Sequence, residues 1–129
     1  IGLEIDKTQP FIAESIPDFC KHEIMADSAR PESISYLKRH GMPYIKGVEK
    51  GKGSVEDGLI FMQSFTEIVI HPRCVETIKG VGLYSYKLDR DSGRVTDIVV
   101  DANNHYIDAI RYALQPLIKR KAEPRVRFL

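Results

Sequence analysis

The chain has 129 residues, 43% of them apolar and 29% charged, with a formal net charge of +1: the balance of one globular domain, not of a disordered or fibrous protein. No apolar run reaches membrane-spanning length, no secretory signal opens the sequence, and Cys20 and Cys74 form no disulfide framework. A cytoplasmic protein with reduced cysteines and no membrane partner is expected.

Taken in order, short apolar runs alternate with helical patterns. Ile1–Ile5 alternates briefly and reads as the end of a strand. Gln9–Ile16 reads as a short helix with Pro10 near its first turn and Pro17 as its stop. Glu23–Ala26 reads as a strand that delivers Asp27 at its carboxyl end. A helix follows, opened by Pro31, turned inward at Ile34 and Leu37, and closed by Gly41. Met42–Val48 reads as the next strand and leads into a loop that carries Lys50 and Lys52. Ser54 is expected to cap a third helix, with Asp57 in the capping-box position. Glu67–Ile70 reads as a third buried strand, and Arg73–Val81 as a helix weakened by Gly80 and Gly82. Leu83–Leu88 and Arg94–Val100 flank a turn-rich segment and together predict a β-hairpin.

The last helix begins at Asn103-Asn104-His105 and buries Ile107, Ile110, Leu117 and Ile118, with Pro116 expected to kink or restart it. Residues 119–129 then place five basic side chains against Glu123 alone, a net of +4 that leaves the body mildly acidic. That distribution is not the footprint of a groove-reading DNA binder. It fits an enzyme whose carboxylates need a cation, with a basic tail left for phosphate or protein. Alternation of strands and helices makes the expected fold class α/β, a layered fold with at least partly parallel strands.

His105 and Asp108 are three residues apart and share one helical face. An imidazole and a carboxylate so placed form half of a divalent-metal site or an acid–base pair. The structural alternative is a helix cap, with Asp108 paired to Arg111 or to free N-terminal amides. Asp27 stands where open parallel sheets collect ligands, beyond the carboxyl end of a strand; its structural alternative is a cap for the helix opened by Pro31. An acid at a strand end, with an acid and a histidine on a late helix, is a donor set that suits two-metal phosphodiester cleavage.

Five stretches then carry a family resemblance. Ala26-Asp27-Ser28-Ala29-Arg30-Pro31-Glu32-Ser33-Ile34, Lys50-Gly51-Lys52-Gly53-Ser54-Val55-Glu56-Asp57-Gly58 and Ile70-His71-Pro72-Arg73-Cys74 are three of them. Leu83-Tyr84-Ser85-Tyr86-Lys87 and the run from Asn104 to Leu114 complete the set. In this order, over nearly all of residues 1–120, they resemble the nuclease domain of tailed-phage terminase large subunits. The resemblance implies a ribonuclease-H-like fold over 1–120, a hairpin beside the active site, and a basic tail at 121–129. It implies a metal-dependent endonuclease that cuts concatemeric double-stranded DNA during packaging in the host cytoplasm. Two Mg²⁺ or Mn²⁺ ions are implied as cofactors, with portal protein and terminase small subunit as partners.

By the same resemblance, Asp27 matches the family's second catalytic aspartate, Asp108 its last, and His105 the histidine one turn before it. Lys50 and Lys52 match a loop expected near DNA, with a merely solvated loop as the alternative. The family's first catalytic aspartate and its first strands are expected to precede Ile1, which would make the fold partial. Gly80 stands where many relatives carry an acid. No Gly-rich phosphate loop of an ATPase motor occurs. Two further readings stand beside this one: a non-catalytic module that docks a packaging motor to its portal through residues 119–129, and another ribonuclease-H-like nuclease such as a resolvase.

Overall fold

Two three-residue strands organise the first part of the chain. Ile24–Ala26 (β1) and Ile45–Gly47 (β2) pair in parallel, with Ile24 opposite Ile45, Met25 opposite Lys46 and Ala26 opposite Gly47. The structure is a computed structural model that describes residues 2–85, 104–122 and 126. It divides into two units, 1–52 and 53–129.

In the first unit, helix α1 spans Ile5–Ser15 and helix α2 spans Pro31–Arg39. Ile5 is therefore helical, and the strand end expected over Ile1–Ile5 is not formed among the described residues. Pro10 sits inside α1, where it removes one backbone donor without ending the helix. Hydroxyl groups add local bonds to this helix: Thr8 donates to the Glu4 carbonyl at 3.2 Å and Ser15 to the Phe11 carbonyl at 3.3 Å.

Helix α2 forms where the sequence places it. Pro31 occupies its first turn, Glu32 lies near its positive end, and Lys38 and Arg39 lie near its negative end. Its C-terminus closes through Gly41 at φ +94°, and the Met42 N–H donates to the Leu37 carbonyl at 3.1 Å. That is the Schellman pattern, and it turns Met42 into the same core that Leu37 lines.

The core of this unit is Phe19, Met42 and Ile45, packed by Ile12, Ile24, Ala26, Ile34 and Leu37. Ile24 and Ala26 belong to it together because alternate strand residues share a face.

In the second unit, α3 spans Ser54–Gln63, α4 spans Val75–Ser85 and α5 spans His105–Ala122. Both α3 and α4 pack on α5, with Leu59 and Ile107 buried. Ser54 is the first residue of α3 and not its cap; Gly53 at φ +80° takes that position and no side chain caps the turn. The strand expected over Glu67–Ile70 is absent: the segment is irregular and Val69 is 80% exposed. A strand needs a ladder partner, and among the described residues this stretch has none.

Helix α4 also runs past the glycines expected to end it. Gly80 is buried against α5, where an added Cβ would lie 2.8 Å from the Tyr106 ring. Close helix packing thus outweighs the roughly 1 kcal/mol that glycine costs a helix. Consequently Leu83–Ser85 are helical, not the opening of a strand, and the rest of the expected hairpin lies outside the described residues. Helix α5 continues through Pro116 without a restart.

Among the described residues the α/β class therefore takes the form of a two-stranded parallel sheet with a large helical share. No described helix is long and apolar enough to cross a membrane.

Met42 is 1% exposed at the centre of the first unit. Met42→Ala should lower the unfolding free energy in urea by about 2–5 kcal/mol, through lost burial and the cavity left behind. Val69→Ala should change it by less than about 0.5 kcal/mol. Equal midpoints for the two variants would show that Met42 is not part of the core.

Candidate functional site

Parallel pairing puts the carboxyl ends of β1 and β2 side by side. The Ala26 carbonyl accepts from the Val48 N–H at 2.9 Å, so the two chains stay paired one step past the strands. Asp27 leaves β1 at that point, with its side chain 53% exposed. Its Oδ1 accepts from the Ala29 N–H at 2.8 Å and from the Lys50 ammonium at 2.5 Å. The first bond is an Asx turn, which fixes the rotamer locally. The second joins residues 23 apart in sequence and exists because the sheet is parallel. Lys50, then the Ala29 N–H, hold the Asp27 carboxyl below the usual carboxylate range, while burial pulls weakly the other way. Asp27 is thus an ionised, accessible oxygen donor.

In the second unit, His105 opens α5 and is exposed. Asp108 lies one turn later, its backbone N–H donating to the Asn104 carbonyl at 2.8 Å. The Asp108 Oδ1 accepts from Arg111 Nη2 at 2.9 Å. The structural alternative of an Asp108–Arg111 pair is therefore formed, but not as a surface bridge: Arg111 is 8% exposed and Asp108 is part-buried. Arg111 Nη1 also reaches the Ser54 carbonyl at 3.5 Å, and its Nε has no hydrogen-bond partner among the described residues.

The Arg111 stem crosses α3 at Gly58, where an added Cβ would overlap its Cγ and Cδ. Tyr84, half-buried on α4, senses the same cluster. Burial raises its phenol, the Asp108 charge raises it further, and Arg111 works in the opposite direction.

The two parts are described separately. Asp27, Lys50 and Lys52 belong to the first unit, with Asp27 and Lys50 joined and Lys52 exposed in the loop beyond them. His105 and Asp108 belong to the second, on one helical turn. Two features were missed in the sequence. The burial of Arg111 was signalled only by its i,i+3 spacing from Asp108. Tyr84 falls in Leu83–Leu88, whose period-two alternation reads as a strand, whereas the structure makes it helical. Carboxylate oxygens and an imidazole nitrogen suit Mn²⁺ and Mg²⁺ by donor chemistry. Among the described residues no three His, Cys, Asp or Glu side chains gather to hold an ion, so further donors are needed to complete a coordination shell.

Comparison with known proteins points one way. The family described as "Terminase RNAseH like domain" matches residues 5–116. The chain is 36% identical over 120 residues to the large subunit of the terminase of Bacillus phage SPP1, an alignment that covers 92% of the chain and 28% of that protein. It is 30% identical over 122 residues to the PBSX phage terminase large subunit of Bacillus subtilis (strain 168), covering 89% and 28% respectively. The chain thus spans somewhat over a quarter of the length of these relatives.

Its fold is similar to the crystal structure of the large terminase nuclease domain from bacteriophage SPP1 with bound Mn. The TM-score is 0.64 at 30% identity, over 88% of this chain and 64% of that one.

Two measurements check the local geometry. Gly58→Ala should destabilise the chain by about 1–3 kcal/mol through overlap with Arg111, although helix propensity alone would favour alanine by about 1 kcal/mol. A gain in thermal stability would show that Arg111 does not occupy that slot. For Asp27, carboxyl titration by NMR in metal-free buffer should run below the usual range, and Lys50→Gln should move it upward. A depressed carboxyl stabilises the fold above its unfolded pKa of about 3.9, and that contribution is lost as pH falls through the folded value. With both partners about half exposed, the contribution stays under about 1 kcal/mol. An unchanged titration in Lys50→Gln would show that the ion pair is not formed in solution.

Proposed function

The chain belongs to the family of terminase RNase H-like domains, and from that membership we propose that it is a metal-dependent endonuclease domain that cuts concatemeric double-stranded phage DNA during packaging. The observation that carries this reading is the similarity to a terminase nuclease domain solved with bound Mn. Family membership sets aside an unrelated resolvase.

The proposed metal ligands are Asp27, Asp108 and His105, with Lys50 and Lys52 directed to the DNA backbone. Two Mn²⁺ or Mg²⁺ ions, when bound, supply an activated water and neutralise the charge that develops on the leaving oxygen. The chain's own residues do the rest. Asp27 stays ionised across the neutral range, because an ammonium and a backbone N–H both favour its charged form. Asp108 is steered through Oδ1 by the buried Arg111 guanidinium. A fixed carboxylate costs less to organise around an ion than one that rotates freely. His105 presents an exposed imidazole one turn before Asp108, where a neutral nitrogen can donate to a cation.

Lys50 and Lys52 suit phosphate as point charges on flexible stems. Working partners in this reading are double-stranded DNA, the portal protein and the terminase small subunit, in the host cytoplasm.

The test is nicking of supercoiled plasmid in Mn²⁺. Asp108→Asn and Asp27→Asn should each slow it by about a hundredfold or more, since loss of a direct ligand should exceed the 10–100-fold typical of outer-shell changes. EDTA should abolish it. Mutant-insensitive nicking would remove the site assignment. A folded chain that binds Mn²⁺ yet cuts no DNA would favour the docking-module reading.

A further inference from the structure

The sheet carries two cross-strand ion pairs of the same sequence separation. Lys46 bonds Glu23 at 3.0 Å at one end, and Lys50 bonds Asp27 at the other. The second pair differs in one respect: its carboxylate is the one assigned to the metal. Resting on that assignment, we propose that the Lys50 ammonium occupies the cation position of Asp27 in the metal-free chain, and that a divalent ion binds by exchanging with it.

Three observations carry this. First, Lys50 Nζ contacts Oδ1 directly, and an ammonium held against a carboxylate oxygen repels a second cation brought to the same group. Second, the other bond to Oδ1 comes from the neutral Ala29 N–H, which contests no charge and keeps the carboxylate oriented while the cation changes. Third, Lys50 is able to leave. Its side chain is 45% exposed, and it lies in the irregular segment between β2 and α3. Its side chain has four carbons between backbone and ammonium, so other rotamers reach water. An exposed pair of this kind is weak enough to be displaced by a doubly charged ion and strong enough to raise the concentration needed. Lys50 is therefore a positioning residue: it holds Asp27 ionised and in place before metal arrives, and it sets the threshold for loading.

The experiment is Mn²⁺ titration of this chain by calorimetry at low ionic strength, with no DNA present. Lys50→Gln should bind Mn²⁺ roughly two- to fivefold more tightly than wild type, the size expected for loss of an exposed ion pair. Lys46→Gln and Lys52→Gln remove the same charge from the same unit and should stay close to wild type. Asp27→Asn should lose the site. Melting curves for each variant confirm folding, and Lys50→Met provides a second neutral side chain. If Asp27→Asn binds as wild type does, or wild type binds no Mn²⁺, the metal assignment itself falls. If Asp27→Asn loses binding but Lys50→Gln and Lys50→Met are unchanged or weaker, the exchange is wrong and the assignment stands. Equal tightening in all three Lys→Gln variants would reduce the effect to net charge and would also overturn the exchange.

Discussion

Parallel pairing of β1 with β2 is the constraint from which the first unit follows. Parallel strands require a crossover, and α2 provides it, with Leu37 and Ile34 turned into the core that the strands also line. The register matters because Ile24 and Ala26 lie together against that core. A slip by one residue would turn Met25 inward and expose both of them. The same register sets Asp27 just past Ala26, beside the chain that leaves β2, and so decides which lysine reaches its carboxylate. The position of a charged group at the surface is thus a consequence of where apolar side chains are buried.

The i,i+3 charged pairs among the described residues differ in burial, and their energies differ accordingly. Glu4–Lys7, Asp18–Lys21 and Glu76–Lys79 are exposed i,i+3 contacts at 3.0–3.1 Å. Such pairs contribute on the order of 0–1 kcal/mol. Arg111–Asp108 is different, because the guanidinium is almost fully out of water. A buried cation that lost its carboxylate would be left uncompensated, a loss of about 3–5 kcal/mol. That asymmetry keeps the pair formed and Asp108 oriented, whatever the net stabilisation over an apolar replacement.

Much of this was legible in the sequence, and the reasons are local. Pro31, the basic end of α2 and Gly41 are signals read within a few residues, and the helix forms where they place it. Ile24–Ala26 and the acid after it needed only an apolar run with a polar end. The order of five motifs identified the family, which no single one could have done. What failed depended on contacts distant in sequence. Ile68-Val69-Ile70 has the composition of a buried strand, but composition does not supply a neighbouring strand. Gly80 weakens an isolated helix, yet here it admits Tyr106 from α5, information held about 25 residues away. Arg111 is buried although arginine seldom is; the slot that accepts its stem is the missing side chain of Gly58, on another helix.

The two candidate carboxylates therefore differ in what their surroundings allow. Asp27 is about half exposed and paired with a partly exposed ammonium, a contact of the weak surface kind. Asp108 is part-buried and held by a guanidinium that is itself buried. Tyr84 adds to the contrast. With its phenol raised by burial and by Asp108, it keeps its proton through the neutral range and faces the carboxylate as a neutral group. Asp27 is thus the exposed carboxylate with a partly exposed lysine partner, and Asp108 the part-buried one whose partner is itself buried.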